Sequence, residues 1–155
     1  PSPGGGSAAK KGGAAAQGLG RSRGGLGTKI HAVSDALGLP VRFILSPGQR
    51  GDVLFGEPLL NGLRPGYVIA DKAYDANHFH KTIKAMGAVA VIPPRPERRP
   101  PYPQTCDWCL YKERNLVERM FAKLKQFRRV ATRYDKLLQN FRGFVLIAAI
   151  MLWLR

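Results

Sequence analysis

The chain has 155 residues, and its 25 lysines and arginines exceed its 10 aspartates and glutamates to give a formal net charge of +15. This length suits one domain with a real core and is too short for two comfortable ones. The two cysteines argue against the disulfide framework of a small secreted protein. The positive charge points to a polyanionic partner, nucleic acid or an anionic membrane, without choosing between them.

The apolar residues indicate neither membrane insertion nor secretion. The longest apolar run, Phe144–Leu154 ("FVLIAAIMLWL"), is well short of the ~20 residues that a membrane-spanning helix needs, so it predicts a core helix. The N-terminal "PSPGGGSAAKKGGAAAQGLG" lacks the apolar stretch of a secretory signal. We therefore predict a cytoplasmic protein with no membrane partner. The chain begins at Pro1 instead of a methionine, as a segment of a longer product would.

Residues 1–27 are rich in Gly, Ala and Ser with scattered Lys and Arg, which predicts a flexible basic lead-in. The remaining residues, 28–155, form the predicted domain. There "TKIHAVS" and "PVRFILS" flank the turn-like "DALGL", which predicts a β-hairpin over Thr28–Leu45. A short or irregular helix is expected over Asp52–Leu63, with Asp52 as its N-cap.

A strand–helix–strand unit is predicted next. Tyr67–Ala70 and Ala88–Ile92 are continuous apolar runs typical of buried parallel strands. Asn77–Met86 between them is a predicted helix that ends at Gly87. This order implies parallel pairing with a right-handed crossover.

The rest of the chain is predicted to be a loop followed by two helices. Residues 93–109, "PPRPERRPPYPQTCDWC", are rich in proline and arginine and predict an extended basic loop. The helices are expected over Lys112–Arg129 and Lys136–Leu154. Together the elements place the chain in the α/β class.

One predicted helix carries a polar stripe in the segment "YKERNLVERMFAKLK". At about 100° per residue, the four residues of this polar stripe fall within roughly 60° of one another. They are Tyr111, Arg114, Glu118 and Lys125. A separate apolar arc faces the core: Leu116, Val117, Met120, Leu124 and Phe127. One interpretation of the stripe is a solvated face with an Arg114–Glu118 ion pair worth ~0.2–0.5 kcal/mol.

Asp71 follows the first predicted parallel strand. Open α/β sheets bind ligands at the carboxyl ends of their strands, which favours a functional role for this side chain. The alternative is that Asp71 starts a turn or caps the following helix. The residue by itself leaves both interpretations open.

Taken together, these residues resemble a known family. The polar stripe matches at all four positions the pattern "Y-x-x-R-x-x-x-E-x-x-x-x-x-x-K", which is similar to the signature of DDE transposases of bacterial insertion sequences. Asp71, in "IADKAYD", resembles the region that holds the family's second catalytic aspartate, with Ala73 in place of a glycine. "GRSRGGLGTKIHAVSDALGLP" and "VIPPRPERR" also resemble this family, so the likeness covers roughly residues 20–155.

The resemblance implies a ribonuclease H-like mixed sheet with flanking helices. It implies metal-dependent DNA chemistry, in which water nicks the transposon end and the freed 3′-hydroxyl attacks target DNA. Asp71 and Glu118 would be the catalytic residues and would hold two Mg²⁺ or Mn²⁺ ions about 3.5–4 Å apart. Double-stranded DNA, at transposon ends and target, would be contacted by Tyr111, Arg114, Lys125, Arg128, Arg129, Arg95, Arg98 and Arg99. A homo-oligomer on DNA in the bacterial nucleoid is expected, because joining two ends requires two active sites.

The first aspartate of such a site is missing from the predicted elements. The family carries it on the central strand, ahead of the residues that here resemble "GRSRGG". Nothing before Thr28 is predicted to be a strand, and the first aspartate is Asp35 in the hairpin turn. The sheet is therefore expected to lack its first, central strand. Either an upstream transposase segment supplies that strand and its aspartate, or the chain is an inactive truncated remnant that only binds DNA.

A third hypothesis is a basic nucleic-acid-binding module built around zinc. Its ligands would be Cys106 and Cys109 of "CDWC", with His78 and His80 as partners. A lone C-x-x-C without a second pair at finger spacing is a weak zinc signal. His31, on the predicted hairpin, has no role that the sequence indicates.

Overall fold

The computed structural model describes Gly13 and residues 17–22, 25–100 and 105–154. The strands in these residues are β1 (Gly20–Ser22), β2 (Gly25–Ser34), β3 (Pro40–Pro47), β4 (Tyr67–Ile69) and β5 (Val89–Val91). The α-helices are α1 (Gly56–Leu60), α2 (Asn77–Ala85), α3 (Trp108–Tyr111), α4 (Asn115–Leu124), α5 (Arg128–Ala131) and α6 (Leu138–Trp153). This mixture of elements confirms the predicted α/β class.

The predicted hairpin is confirmed. β2 and β3 pair antiparallel along residues 28–34 of β2. The side chain of Asp35 closes the turn, since its Oδ1 accepts hydrogen bonds from the N–H groups of Leu37 (2.9 Å) and Leu39 (2.8 Å). An aspartate that bonds its own downstream backbone is a common turn device, and the "DALGL" segment uses it here.

A short strand precedes the hairpin. β1 pairs antiparallel with residues 25–27 of β2. The prediction that no strand precedes Thr28 is therefore wrong. Glycine is depleted in strands, so a glycine-rich segment gives no strand signal even where tertiary context pairs it. The predicted lead-in otherwise falls mostly on residues 1–12 and 14–16, which lie outside the described residues.

β4, α2 and β5 form the predicted strand–helix–strand unit. β4 and β5 pair in parallel, with Val68 opposite Ala90. The helix buries Phe79 and Ile83 in the core beneath them. After α2 the chain turns at Gly87, whose φ of +74° is a conformation that side chains disfavour. The parallel pairing and the glycine stop are confirmed.

Two hydrophobic cores lie on opposite faces of the hairpin. Ile30 and Ala32 of β2 pack against the core of α4, α5 and α6, whereas Val33 packs against the core of α1, α2 and β4. This follows from the alternation of side chains along a strand.

α6 contains the apolar run, and the prediction of a core helix holds for one of its faces: Val145 and Leu152 are buried, whereas Ile147 and Ile150 are exposed. The Trp153 indole N–H anchors the helix by donating to the carbonyl of Pro40 (2.8 Å). In the described part of the chain, no helix is both long and apolar enough to cross a bilayer.

The strands lie in two sheets. One has the order β1–β2–β3 and is antiparallel, and the other is the parallel pair β4–β5. Within the described residues no strand joins β2 to β4. The single mixed sheet implied by the family resemblance is therefore not closed by these strands.

The predicted helix over Lys112–Arg129 has different bounds. Helical backbone begins earlier, at α3, because the carboxylate of Asp107 accepts two backbone N–H bonds at 3.0 Å and caps it. α3 continues into α4 through a 3₁₀ turn over Lys112–Arg114. α4 ends at Leu124, and the extended backbone of Phe127 separates it from α5. The two arginines predicted at the end of one helix therefore begin a separate one.

Asp52 is not a helix N-cap, contrary to the prediction. A 3₁₀ turn over Asp52–Phe55 precedes α1, and the N-cap position is held by Gly51 without a side-chain hydrogen bond. The carboxylate of Asp52 instead lies 3.1 Å from Lys29 Nζ and 3.5 Å from His31 Nδ1. The charged Lys29 on the neighbouring strand β2 offers this carboxylate a charge-assisted hydrogen bond, which is stronger than one to a local amide.

The buried His31 should make stability depend on pH. Its Nε2 lies 2.8 Å from Ser46 Oγ, and its ring stacks on Phe55 at 4.0 Å. Burial lowers the pKa of His31 from its ordinary value of 6.5, against an opposing effect of Asp52. As the pH falls below 6.5, His31 becomes protonated in the unfolded chain, whereas in the folded chain it stays neutral to a lower pH. We expect the free energy of unfolding, measured in urea, to be lower at about pH 5 than at about pH 8.

The matched control for this prediction is His31→Gln. The variant keeps a polar group beside Ser46 and removes the titration of His31. The pH dependence should therefore be smaller in the variant. An unchanged difference between the two pH values would show that another group causes it.

Candidate active site

A cleft of about 820 Å³ lies between β2, β4 and α4, and we call it the strand cleft. Consecutive residues of both strand regions line it, 30–36 and 64–71. Successive residues of a strand point to opposite faces of the sheet. When consecutive residues all line one cleft, the cleft therefore runs along the edge of the strand. β3 and β5 occupy the other edges of β2 and β4. Among the described residues, the strand cleft therefore exposes an unpaired edge of β4 and the part of β2 that follows its short pairing with β1.

Asp71 lines the strand cleft at the carboxyl end of β4, where the sequence placed it. Its Oδ1 accepts the N–H of Ala73 (2.9 Å), so the carboxylate caps the 3₁₀ turn Lys72–Tyr74. The side chain is still 39% exposed, and its Oδ2 lies 3.7 Å from Arg114 Nη2. The turn-capping interpretation of Asp71 is confirmed, and a functional role for this side chain stays a prediction.

Arg114 joins the two acidic residues of the candidate site. Its Nη1 lies 2.6 Å from Glu118 Oε1, and its Nη2 contacts Asp71 from the other sheet. The i,i+4 pair of a solvated helix face is present, yet it has a third member from a different element. Two carboxylates that face one cleft repel each other, and the guanidinium offsets that repulsion. The geometry thus brings Asp71 to the Arg114–Glu118 pair, which the sequence placed on a different element.

The other members of the polar stripe lie at its two ends. Tyr111 is half-buried and packs edge-on against Trp108, with 5.7 Å between ring centroids. Lys125 is exposed at the C-cap of α4. At ~1.5 Å per residue it lies ~10 Å along the helix axis from Glu118. The two middle members of the stripe, Arg114 and Glu118, therefore line the strand cleft, and Tyr111 and Lys125 lie before and after them along the chain.

The arginines predicted to contact DNA fall into two groups. Four are exposed and one is not; the exposed ones are Arg95, Arg99, Arg128 and Arg129. Arg98 has only 7% of its side chain exposed and pairs with Asp75 at 2.7 Å. The guanidinium of Arg95 donates to two backbone carbonyls in the turn after β4. DNA contact by these five residues stays a prediction.

Sequence reasoning missed Tyr74, which lines the strand cleft beside Asp71. Burial raises the pKa of Tyr74 to about 12, and the carboxylates of Asp52 and Asp71 act in the same direction. The phenol therefore stays protonated at neutral pH and available as a hydrogen-bond donor. Its position in "DKAYD", directly after a buried parallel strand, is the signal that could have found it.

The residues named for a zinc module do not form a metal cluster. In the part of the chain that the structure describes, no group of three or more His, Cys, Asp or Glu side chains could hold a metal ion. Cys106 and Cys109 are free thiols. Burial raises the pKa of Cys106, with Asp107 adding to the effect, and this disfavours the thiolate that binds zinc. His80 contacts Asp75 instead.

Comparison with known proteins identifies one family. The family model described as the transposase DDE domain matches residues 3–154. A transposase for insertion sequence element IS6501 of Brucella ovis is 48% identical over 130 residues, which cover 83% of this chain and 98% of that protein. A transposase for insertion sequence element IS402 of Burkholderia cepacia is 31% identical over 122 residues, which cover 71% of this chain and 54% of that protein. No solved structure matched the chain.

The two carboxylates should differ in what they contribute to stability. Glu118 is 57% exposed and pairs with Arg114 at i,i+4, so Glu118→Gln should lower the free energy of unfolding by no more than about 0.5 kcal/mol. Asp71→Ala removes the cap on Ala73 and should cost more, about 0.5–2 kcal/mol. Urea denaturation of the two variants measures the difference. A larger loss in Glu118→Gln than in Asp71→Ala would contradict this geometry.

Proposed function

Because this chain belongs to the transposase DDE domain family, we propose that it performs metal-dependent cutting and joining of DNA for an insertion sequence. One observation carries the proposal: Asp71, after β4, and Glu118, on α4, converge on Arg114 in the strand cleft. Carboxylates that converge from a strand end and a helix suit phosphoryl transfer. We propose a ribonuclease H-like catalytic domain, of which the hairpin, the β4–α2–β5 unit and α4 are parts.

The chemistry of these two side chains fits a hard divalent cation. Mg²⁺ and Mn²⁺ take carboxylate oxygens and keep several waters, and the exposed fractions of Asp71 and Glu118, 39% and 57%, leave room for both. When bound, two such ions would activate the attacking oxygen and stabilise the leaving oxygen. We propose Asp71 and Glu118 as metal ligands and as the catalytic residues of this chain.

The polar stripe would hold the DNA backbone beside these carboxylates. Arg114 presents a planar fork that suits bidentate contact with a phosphate, and Lys125 supplies a point charge further along the helix. Tyr111, fixed against Trp108, would position a backbone or terminal group. The exposed arginines outside the stripe would extend the contact: Arg99, Arg128 and Arg129.

We propose that an upstream transposase segment adds a strand in the strand cleft. The edges of β2 and β4 that line the cleft have no described strand partner beyond the short β1, and edges of this kind accept an added strand. The added strand would run past Asp71, where the family resemblance expects the first catalytic aspartate. Its pairing with β2 on one side and β4 on the other would close the mixed sheet.

A second candidate function is DNA binding without cleavage, by an inactive remnant. The observation that favours it is the lack, in the described ranges, of three clustered side chains able to hold a metal. The basic polar stripe and exposed arginines would serve this function without a complete site. The two candidates differ in whether an added strand restores chemistry.

We propose that the active form is a homo-oligomer on DNA in the bacterial nucleoid. Joining two transposon ends requires at least two active sites. The net charge of +15 favours association with DNA and opposes self-association in its absence.

Strand cleavage and joining on transposon-end DNA tests the proposed activity. The assay uses Mg²⁺ or Mn²⁺ and compares the chain alone, the chain with its upstream segment, and that complemented form carrying Glu118→Gln. We expect products only from the complemented wild type. Removing a group that only orients a metal ligand lowers activity by about 10–100-fold. Glu118→Gln removes a proposed ligand itself, so its loss of activity should be larger.

Three results would redirect the assignment. Full activity of complemented Glu118→Gln would remove Glu118 from the metal site. Products from the chain alone would show that no added strand is needed. DNA binding without products in every complemented form would favour the remnant.

The salt dependence of DNA binding tests the role of Lys125. The logarithm of the DNA affinity falls linearly with the logarithm of the salt concentration, and each lost phosphate contact makes this negative slope shallower by about 0.9. Lys125→Ala should show this change in fluorescence anisotropy titrations. Lys84→Ala removes the same charge from an exposed position on α2 and serves as the control. Equal changes in both variants would mean that Lys125 contributes only to the overall charge.

A further inference from the structure

We propose that Asp75 is a positioning residue that fixes the carboxylate of Asp71, an inference that rests on the proposed role of Asp71 as a metal ligand. Asp75 lies four positions after Asp71, at the end of the 3₁₀ turn that follows β4. Only 1% of its side chain is exposed. A carboxylate this deeply buried, beside a candidate metal site and outside the polar stripe, requires an explanation of its own.

Three donors from two other elements converge on the Asp75 carboxylate. Its Oδ1 lies 2.7 Å from Arg98 Nη1 and 2.9 Å from His80 Nε2, and its Oδ2 accepts the backbone N–H of Arg95 at 2.7 Å. His80 belongs to α2, whereas the two arginines belong to the loop after β5. One carboxylate therefore fastens the loop after β5 and α2 to the turn that begins at Asp71.

The loop that Asp75 holds also bonds to the turn after Asp71. Arg95 donates from Nε to the carbonyl of Lys72 (3.1 Å) and from Nη2 to the carbonyl of Ala73 (2.9 Å). The N–H of the same Ala73 donates to Asp71 Oδ1. A continuous path thus runs from Asp75 through the Arg95 backbone and side chain to the residue that holds the Asp71 carboxylate. We call Asp75, His80, Arg95 and Arg98 the latch.

Stability alone does not account for charged groups at this position. Burying an ion pair costs solvation, and well-packed apolar residues of similar volume are often as stable or more so. Directional bonds provide what apolar contacts cannot, because a carboxylate with three donors fixes both the distance and the angle between the turn and the loop. The latch is suited to hold geometry beside a metal site, where small displacements of a ligand weaken binding.

The latch also gives Arg95 and Arg98 an internal role that the family resemblance did not indicate. Their donors face Asp75 and the turn carbonyls. Arg99, the next residue of the loop, is exposed. The loop therefore exposes the cationic side chain of Arg99, while Arg95 and Arg98 hold the loop beside Asp71.

Mn²⁺ binding by the full chain, followed by electron paramagnetic resonance, tests the latch without DNA or cleavage. Arg95→Met removes the bonds to the turn from an exposed side chain, so we expect about tenfold weaker Mn²⁺ binding with little change in urea stability. Lys84→Met removes the same charge from the exposed surface of α2 and should bind Mn²⁺ as the wild type does. Arg95→Lys, which keeps one donor, should restore part of the affinity.

Variants of Asp75 separate positioning from stability. Asp75→Asn removes the negative charge that faces the buried Arg98 and can unfold the chain, so it is paired with the double variant Asp75→Leu, Arg98→Met. An apolar pair in this site should restore urea stability. If the latch positions Asp71, the double variant folds and still binds Mn²⁺ about tenfold more weakly than the wild type.

The outcomes distinguish failure of the latch from failure of the proposed function. Wild-type Mn²⁺ affinity in Arg95→Met and in the folded double variant would overturn the latch, while weaker binding in Asp71→Asn and Glu118→Gln would retain the metal site. If those two variants bound Mn²⁺ as tightly as the wild type, the proposed metal site would be wrong. The latch proposal would then fail as well, because it rests on that site.

Discussion

The candidate site depends on a single guanidinium shared by two carboxylates, one that follows strand β4 and one on helix α4. Asp71 belongs to the β4–β5 sheet, Glu118 belongs to the helix that packs on the β2–β3 hairpin, and Arg114 contacts both. Because the sheets are separated by the strand cleft, no backbone pairing brings the two acids together. Their approach requires a positive charge between them, since like charges at short range otherwise repel. Arg114 meets that requirement from within the chain.

This arrangement explains how one residue can serve two roles that appear to conflict. Divalent ions bound to Asp71 and Glu118 would bring more positive charge than a guanidinium does. Arg114 would then no longer be needed as the countercharge, and its fork would be available to a phosphate at the same place. The ion pair with Glu118 and the proposed phosphate contact would thus be successive uses of the Arg114 side chain.

The sequence predicted the elements of this fold better than their assembly. Apolar runs and the glycine stop at Gly87 located the β4–α2–β5 unit, because burial and a positive φ leave local signals. The break after Leu124 and the pairing of β1 left none, since both depend on tertiary packing. Among the site residues, Asp71 and Glu118 were found through a motif. Asp75 was missed, because its three donors come from distant positions that only the folded chain brings together.

Some of the positively charged side chains of the chain bond to its own backbone and help to hold the fold. Arg42 donates to the carbonyls of residues 58, 59 and 61 at the end of α1, and Arg133 donates to the carbonyls of residues 17, 135 and 136. Guanidinium groups suit such positions because several N–H donors on one rigid plane can satisfy carbonyls that helix ends and loops leave unpaired. Arginines used in this way, like those of the latch, cannot also face DNA without giving up internal bonds. Fewer cations are therefore available for the proposed phosphate contact than a net charge of +15 suggests.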